Sequence, residues 1–335
     1  MTSSTGGYES VVKLPAPRGP LSETVVATLG GDPDGRLVPF TDAGPDPYGE
    51  DLTLALHLLY ELHYRGFDGV HPAWEWDPEL LKFRARAEIA FLAALRSDVD
   101  GGDDLTAALD ELLVERVPGD GVSHHLRDNG TWDEMREYFA HRSVYHHKEA
   151  DPHAWVIPRL RGRAKAALVA VEFDEFGGGR ADRMHSRLYA DLLEGAGMSP
   201  DYLHHLDDVP APAIAIVNMM SLFGLHRSLR GALVGHFAAA EITTAPSAQR
   251  MAQALTRLDA DPRCVEFFTE HIEADAVHEQ IMRRDVIGSL LEQEPQLRAD
   301  VVFGIQATEL LEARLADHLL SSWRSGESSL RTRLR

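Results

Sequence analysis

The segment EHIEADAVHE, residues 270 to 279, places His271, Asp275 and His278 at i, i+4 and i+7. At 3.6 residues per turn the three side chains fall within an arc of about 60° on one helix face. Two imidazoles and a carboxylate on one face suit a divalent transition metal, because these nitrogen and oxygen donors are the set that non-haem iron takes. Alone, the stripe reads equally well as a solvated acidic face, since Glu270, Glu273 and Glu279 stand beside it. A metal centre therefore needs further ligands from other helices.

Such residues occur where the chain would otherwise be apolar. Glu241 closes the stretch ALVGHFAAAE, whose small and apolar residues predict a buried helix in which a carboxylate is costly unless a cation meets it. Glu175 closes AALVAVEFDE, and His185 follows beyond the run Gly177, Gly178, Gly179. That break lets two helices approach one metal from different directions. Glu149, just before Asp151-Pro152, is an additional carboxylate.

Taken singly, each has a plain structural role. Glu149 could be an exposed helix end, Glu172 competes with Glu175 one turn away, and His185 could be a satisfied core histidine. Asp182, His146, His147 and His153 stand close enough to be mistaken for ligands. Together, three histidines and four carboxylates from several helices are the inventory of a carboxylate-bridged di-iron site. Carboxylates neutralise and bridge two ions, histidines serve as terminal ligands, and open positions remain for O₂.

The elements that must position these residues are helices. Apolar periodicity predicts them over 51–64, 78–97, 104–115 and 132–149, then from Asp151-Pro152 to the glycine run, and over 181–195. Ser199-Pro200 opens a short one, and further helices are expected over 213–229, 230–243, 247–258, 262–291 and 296–322. No window alternates apolar and polar residues between tight turns, and no internal repeat is present, so the fold class is all-α. Gly, Pro and Asp clusters make 1–50 a largely irregular arm; 51–323 forms one helical domain, and 324–335 a basic, solvated tail.

Composition removes several function classes. The 335 residues carry 53 acidic against 33 basic side chains, a formal charge of −20, which disfavours binding to nucleic acid or an anionic membrane. Cys264 is the only cysteine, so an intrachain disulfide and a thiolate cluster are both excluded. The N-terminus MTSSTGGYES lacks the pattern of a secretory signal, and cytoplasm is the expected compartment. The apolar stretch 209–225 is interrupted by Pro210, Pro212 and Asn218 and is short for a bilayer, which predicts a buried helix.

Over roughly residues 140 to 290 these motifs resemble the haem-oxygenase-like di-iron oxidases and oxygenases, also called iron-containing redox enzymes. Glu175 and His185 look like the family's first glutamate and the histidine that follows it. Glu241 is similar to the glutamate of its middle helix, and His271, Asp275 and His278 match its closing His-x₃-Asp-x₂-His element. Glu149 falls where members that oxygenate nitrogen carry one more carboxylate. The resemblance implies a haem-oxygenase-like helical bundle that binds two Fe ions rather than haem and uses O₂ as co-substrate.

The expected reaction is N-oxygenation of an amine, amino acid or guanidine, with oxidative C–C cleavage or decarboxylation of a fatty or amino acid as the alternative. A metal-free helical interaction protein and a metal-free enzyme of the same fold are the rivals from other classes. A small-molecule substrate is the expected partner, which leaves room for an external electron donor and for a homodimer. Met184, Asn218, Met219, Phe223 and Phe237 fall near the expected cluster by helix position, where ordinary core packing explains each of them equally well.

Overall fold

Local signals start the helices where composition places them. Thr131 and Glu134 form a reciprocal cap: the Glu134 backbone N–H donates to Thr131 Oγ1 at 3.2 Å, and the Thr131 N–H donates to Glu134 Oε2 at 2.7 Å. Asp77 accepts from the backbone of Glu79 and Leu80 ahead of Pro78 at the first helical position. Each arrangement satisfies amide groups that a helix start otherwise leaves open.

The computed structural model describes residues 12–40, 44–114 and 119–334, without the side chains of 273–277. In chain order the helices are α1 (Pro20–Leu29), α2 (Glu50–Glu61), α3 (Pro78–Asp98), α4 (Leu105–Leu112), α5 (Val122–Asp128), α6 (Trp132–His146) and α7 (Asp151–Ala154). There follow α8 (Gly162–Glu175), α9 (His185–Gly195), α10 (Ala211–Leu225), α11 (Arg230–Arg257), α12 (Pro262–Gln280), α13 (Ser289–Gln293) and α14 (Arg298–Arg324). The described residues contain no strand, and none of their helices is long and apolar enough to cross a membrane.

α10 is buried on every side, as its nearly unbroken apolar sequence requires. Its two polar residues each have a partner: Asn218 donates from Nδ2 to the Thr53 carbonyl at 2.8 Å, and Ser221 Oγ lies 3.0 Å from Tyr64 Oη. α11 packs most extensively on α12 and α14. The α11–α14 crossing is unusually close: a Cβ on Gly235 would lie 2.0 Å from Val301 O, and one on Gly304 would lie 2.0 Å from Ala232 O. Backbone cannot yield as a side-chain tip can. Gly235→Ala is therefore expected to cost about 3 kcal/mol, the upper end for overpacking. Urea unfolding measures this, and an unchanged midpoint would show that the helices separate freely.

The boundaries differ from the sequence-based expectation at several points. The arm contains α1, whose Leu21, Val25 and Leu29 join the main core. A continuous helix from Asp151 to the glycines is not formed. Ile157-Pro158 and Arg161-Gly162, with Gly162 at φ +55°, divide it into α7, a short 3₁₀ turn and α8. Ser199-Pro200 starts only a turn.

In the opposite sense, 230–243 and 247–258 merge into α11 with Pro246 inside, because packing on α12 and α14 outweighs one lost backbone bond. After α12 the helix widens into a π-helix over Ile281–Gly288. The tail is partly packed: Leu330 is buried, Ser329 Oγ donates to Glu137 Oε2 at 2.6 Å, and the Arg331 N–H donates to Asp208 O at 2.8 Å.

Candidate metal centre

Glu175 is the last residue of α8 and His185 the first of α9. The chain reverses between them through Gly177, Gly178 and Gly179, at φ +69°, +62° and +82°. A Cβ on Gly177 would lie 2.6 Å from the Met184 nitrogen, so the turn can close this tightly only with glycine. The result sets His185 Nδ1 2.9 Å from Glu175 Oε2.

Glu149 lies on the turn between α6 and α7, three residues past the end of the helix expected to contain it. The turn is anchored from α2 and the residues after it. Buried Lys148 donates from Nζ to Glu61, Tyr202 Oη donates to the same carboxylate at 2.8 Å, and Arg65 Nη2 donates to His147 O at 3.3 Å. His146 Nδ1 holds Glu149 Oε2 at 2.8 Å. Glu241 lies within α11, and His271 and His278 face it from α12.

Six of the seven expected residues thereby converge. Ligand atoms of Glu149, His185 and His271 lie within 4.8 Å of one another, as do those of Glu175, Glu241 and His278. All six residues are buried. The Glu175–His185 contact joins the two groups. The backbone of Asp275 lies in α12, and its side chain lies outside the described residues.

The hydrogen bonds orient the rings. His271 Nδ1 donates to Phe267 O at 2.7 Å, which turns Nε2 toward Glu149 Oε1 at 3.8 Å. His278 Nδ1 lies 3.0 Å from Glu241 Oε2 and 3.8 Å from Glu175 Oε1, with Nε2 at 3.1 Å from Asp174 Oδ2. An imidazole whose far nitrogen is fixed by a carbonyl or carboxylate is the usual form of a metal-binding histidine.

Charge is concentrated here. Burial pushes the Glu241 carboxyl up, and neighbouring Glu175 adds to this against the pull of His278. Burial alone would lower His278, but Glu241, Asp174 and Glu175 raise it to about 9. Burial would raise Glu149, but His146 and His271 hold it well below the usual carboxylate range. The donor set fits metal, since divalent ions would replace the protons that otherwise balance packed carboxylates.

Asp182 is exposed, whereas His147 and His153 are buried apart from both groups, His153 stacking on Phe237 at 4.1 Å between ring centroids. Among the residues near the expected cluster, Phe237 lines the adjoining cavity; Asn218, Met219 and Phe223 are core. Cys264 is buried, its thiol raised to about 11 mainly by burial.

Two further residues contribute, Asp174, which has no recognisable sequence signal, and Glu172, the rival of Glu175 in the sequence. Asp174, beside Glu175, orients His278. Glu172 is buried with neither carboxylate oxygen hydrogen-bonded, and burial together with Glu175 and Glu241 raises it to about 9, so it is a neutral acid behind the cluster. Asp174→Asn is expected to weaken Fe(II) binding about 10- to 100-fold; equilibrium dialysis measures this, and unchanged affinity would remove Asp174 from the site.

A cavity of 710 Å³ opens onto the cluster, with Glu149, Glu175, Glu241 and His271 in its wall. This is ample for a small organic substrate. A family model described as iron-containing redox enzyme matches residues 136–313, more than half of the chain and all six converging residues.

The chain belongs to this family of haem-oxygenase-like iron-containing redox enzymes. As a member it is an oxidoreductase with an all-α fold, and iron is the metal the family implies. It is also 26% identical over 164 residues to nitrosourea synthase of Streptomyces achromogenes subsp. streptozoticus. The match takes in 49% of this iron-containing redox enzyme and 35% of that synthase, so this chain corresponds to about a third of its relative.

Proposed function

We propose that this enzyme binds two iron ions, one at Glu149, His185 and His271 and one at Glu175, Glu241 and His278, with Asp275 as a further ligand, and uses O₂ to oxygenate a nitrogen atom of a small basic substrate. The observation that carries the reading is the pair of buried three-residue groups joined by Glu175 and His185 and open to one cavity. Glu149 supports the nitrogen-directed branch, because it stands among ligands rather than at an exposed helix end. The relative named for a nitrosourea, a product with nitrogen–oxygen bonding, supports it too.

Held by these residues, two iron ions would supply the electrons that reduce O₂. The protein binds, orients and manages protons around it. Tyr145 lines the cavity, and burial together with Glu149, Glu175, Glu172 and Glu241 keeps its hydroxyl protonated, so it can hold a proton at Oη beside the reacting end. Phe237, Phe267, Phe268 and Met220 supply apolar wall that excludes water around the substrate.

The test is anaerobic Fe(II) loading followed by O₂ and an amine or guanidine. Two irons per chain and a hydroxylamine or nitroso product are expected. Release of CO₂, alkene or aldehyde from a fatty or amino acid would move the chemistry to carbon, and failure to retain iron would remove the centre altogether.

A further inference from the structure

Five of the six converging residues belong to helices α8, α9, α11 and α12, whose own hydrogen bonds fix the backbone that carries them. Glu149 alone among the six sits on a turn, between α6 and α7. A carboxylate carried by a turn keeps a ligand geometry only where neighbouring groups hold that backbone from outside.

The residue before it supplies such a hold. Lys148 is 1% exposed, and its Nζ donates to Glu61, which is fully buried. The same ammonium lies 4.5 Å from the centre of the Tyr64 ring and 5.5 Å from that of Tyr202. Glu61 Oε1 accepts from Tyr202 Oη at 2.8 Å and from the Arg65 backbone N–H at 3.3 Å. Tyr64 Oη in turn lies 3.0 Å from Ser221 Oγ on α10. The Arg65 guanidinium covers the Tyr202 ring at 4.2 Å and donates to His147 O at 3.3 Å. Lys148 is thus held from α2, from the residues just after it, and from the segment between α9 and α10.

Stability does not account for this pair. Both charges are withdrawn from water, a cost that their attraction only roughly offsets, so apolar residues of similar volume usually stabilise as well or better. What apolar residues lack is direction. An ammonium that must meet one carboxylate inside a ring of aromatics fixes residue 148 at one place, and with it the backbone from which Glu149 departs. The Glu149 carboxylate then reaches His146 Nδ1 at 2.8 Å and His271 Nε2 at 3.8 Å.

We propose that Lys148 is the positioning residue for Glu149: locked to Glu61, it sets the iron site of Glu149, His185 and His271. The site of Glu175, Glu241 and His278, whose ligands are all borne by helices, forms without it. The two ions are then under separate structural control, and one of them depends on α2, which precedes the residues matched by the family model. This positioning rests on the two-iron reading above.

Anaerobic Fe(II) titration with Mössbauer spectra tests it. In the double variant Lys148→Met with Glu61→Leu, the urea midpoint is expected to hold or rise. One Fe(II) should bind as in the wild type and the other about 10- to 100-fold more weakly, with one of two quadrupole doublets lost at limiting iron. Glu149→Gln should lose the same doublet, which identifies the affected ion. Tyr202→Phe, which removes one hydroxyl from Glu61 and leaves the ion pair, should weaken that ion several-fold. Lys148→Arg should retain more of it than Lys148→Met.

Two ions held at wild-type affinity in a folded double variant would overturn the proposal. Equal weakening of both ions would do so too, because it marks a general effect on the fold. If the double variant does not fold, Tyr202→Phe decides: selective weakening of the Glu149 ion supports the positioning role, and unchanged affinity for both ions overturns it. A wild type that takes up no iron overturns the two-iron reading and this role together, whereas two ions in the wild type with indifferent variants overturn the role alone.

Discussion

Under the two-iron reading, His278→Ala is expected to reduce loading from two irons per chain to one and to lower turnover about a thousandfold, beyond the roughly 10- to 100-fold effect of disturbing a residue behind a ligand. His278 is where three carboxylates meet: Nδ1 faces Glu241 and Glu175, and Nε2 faces Asp174. Its loss removes a donor and also the positive partner of buried Glu241. That carboxyl, already raised by burial, would rise further and hold its proton instead of a metal. Elemental analysis after anaerobic loading gives the iron count, with near-UV circular dichroism to establish that the variant is folded. His278→Gln, which can still hydrogen-bond Glu241, separates loss of metal from loss of structure. Two irons retained by both variants would sink the assignment of this residue.

A second large effect is expected from acid. His141 is 2% exposed; its Nε2 donates to Ser329 Oγ at 2.9 Å, and that hydroxyl donates onward to Glu137, so Nδ1 is left bare and has no hydrogen-bond partner. Burial, reinforced by His318 and Arg142, lowers the ring to about 3. His236 is lowered to about 4 by burial, with the same kind of hydrogen-bond chain. His57 and His153 are lowered well below 6.5, in each case chiefly by burial.

Below about pH 6.5 the unfolded chain takes up protons at these rings and the folded chain does not, so stability falls as pH falls. Each ring costs about 2 kcal/mol between pH 6.5 and 4.5. His141 and His236 together then remove about 4 kcal/mol from a total that is usually 5–15 kcal/mol. Urea midpoints across this range measure the slope, and His141→Gln should flatten it. A midpoint independent of pH from 6.5 to 4.5 would mean that these rings are protonated in the folded protein.

Much of the fold was legible because helical periodicity is a local property. α3, α10 and α14 lie within a few residues of their expected spans, as caps, prolines and apolar spacing dictate. What periodicity did not reveal was decided by neighbours. The break expected between 243 and 247 does not occur, because α12 and α14 hold both halves of α11 in line around Pro246. The expected helix after Asp151 fails at Ile157-Pro158 and Gly162, where local breakers win over a long apolar stretch.

The site divides in the same way. His271 and His278 could be found by spacing, and Glu175, His185 and Glu241 by the cost of a polar group in apolar surroundings. Asp174 could not, since a carboxylate beside a carboxylate reveals nothing until the ring of His278 is placed against it. The tautomer of the buried His236 ring was equally hidden. It depends on where Thr308 sends its hydrogen, across 72 residues of sequence.

The glycine crossing between α11 and α14 also bears on the rigidity of the cavity wall. One helix carries Glu241 and His236, and the other carries Thr308, Glu309 and Glu312. Because their backbones already touch at Gly235 and Gly304, neither can move inward to narrow the cavity between them. The stiffness of this wall is then a property of backbone contact rather than of adjustable side chains.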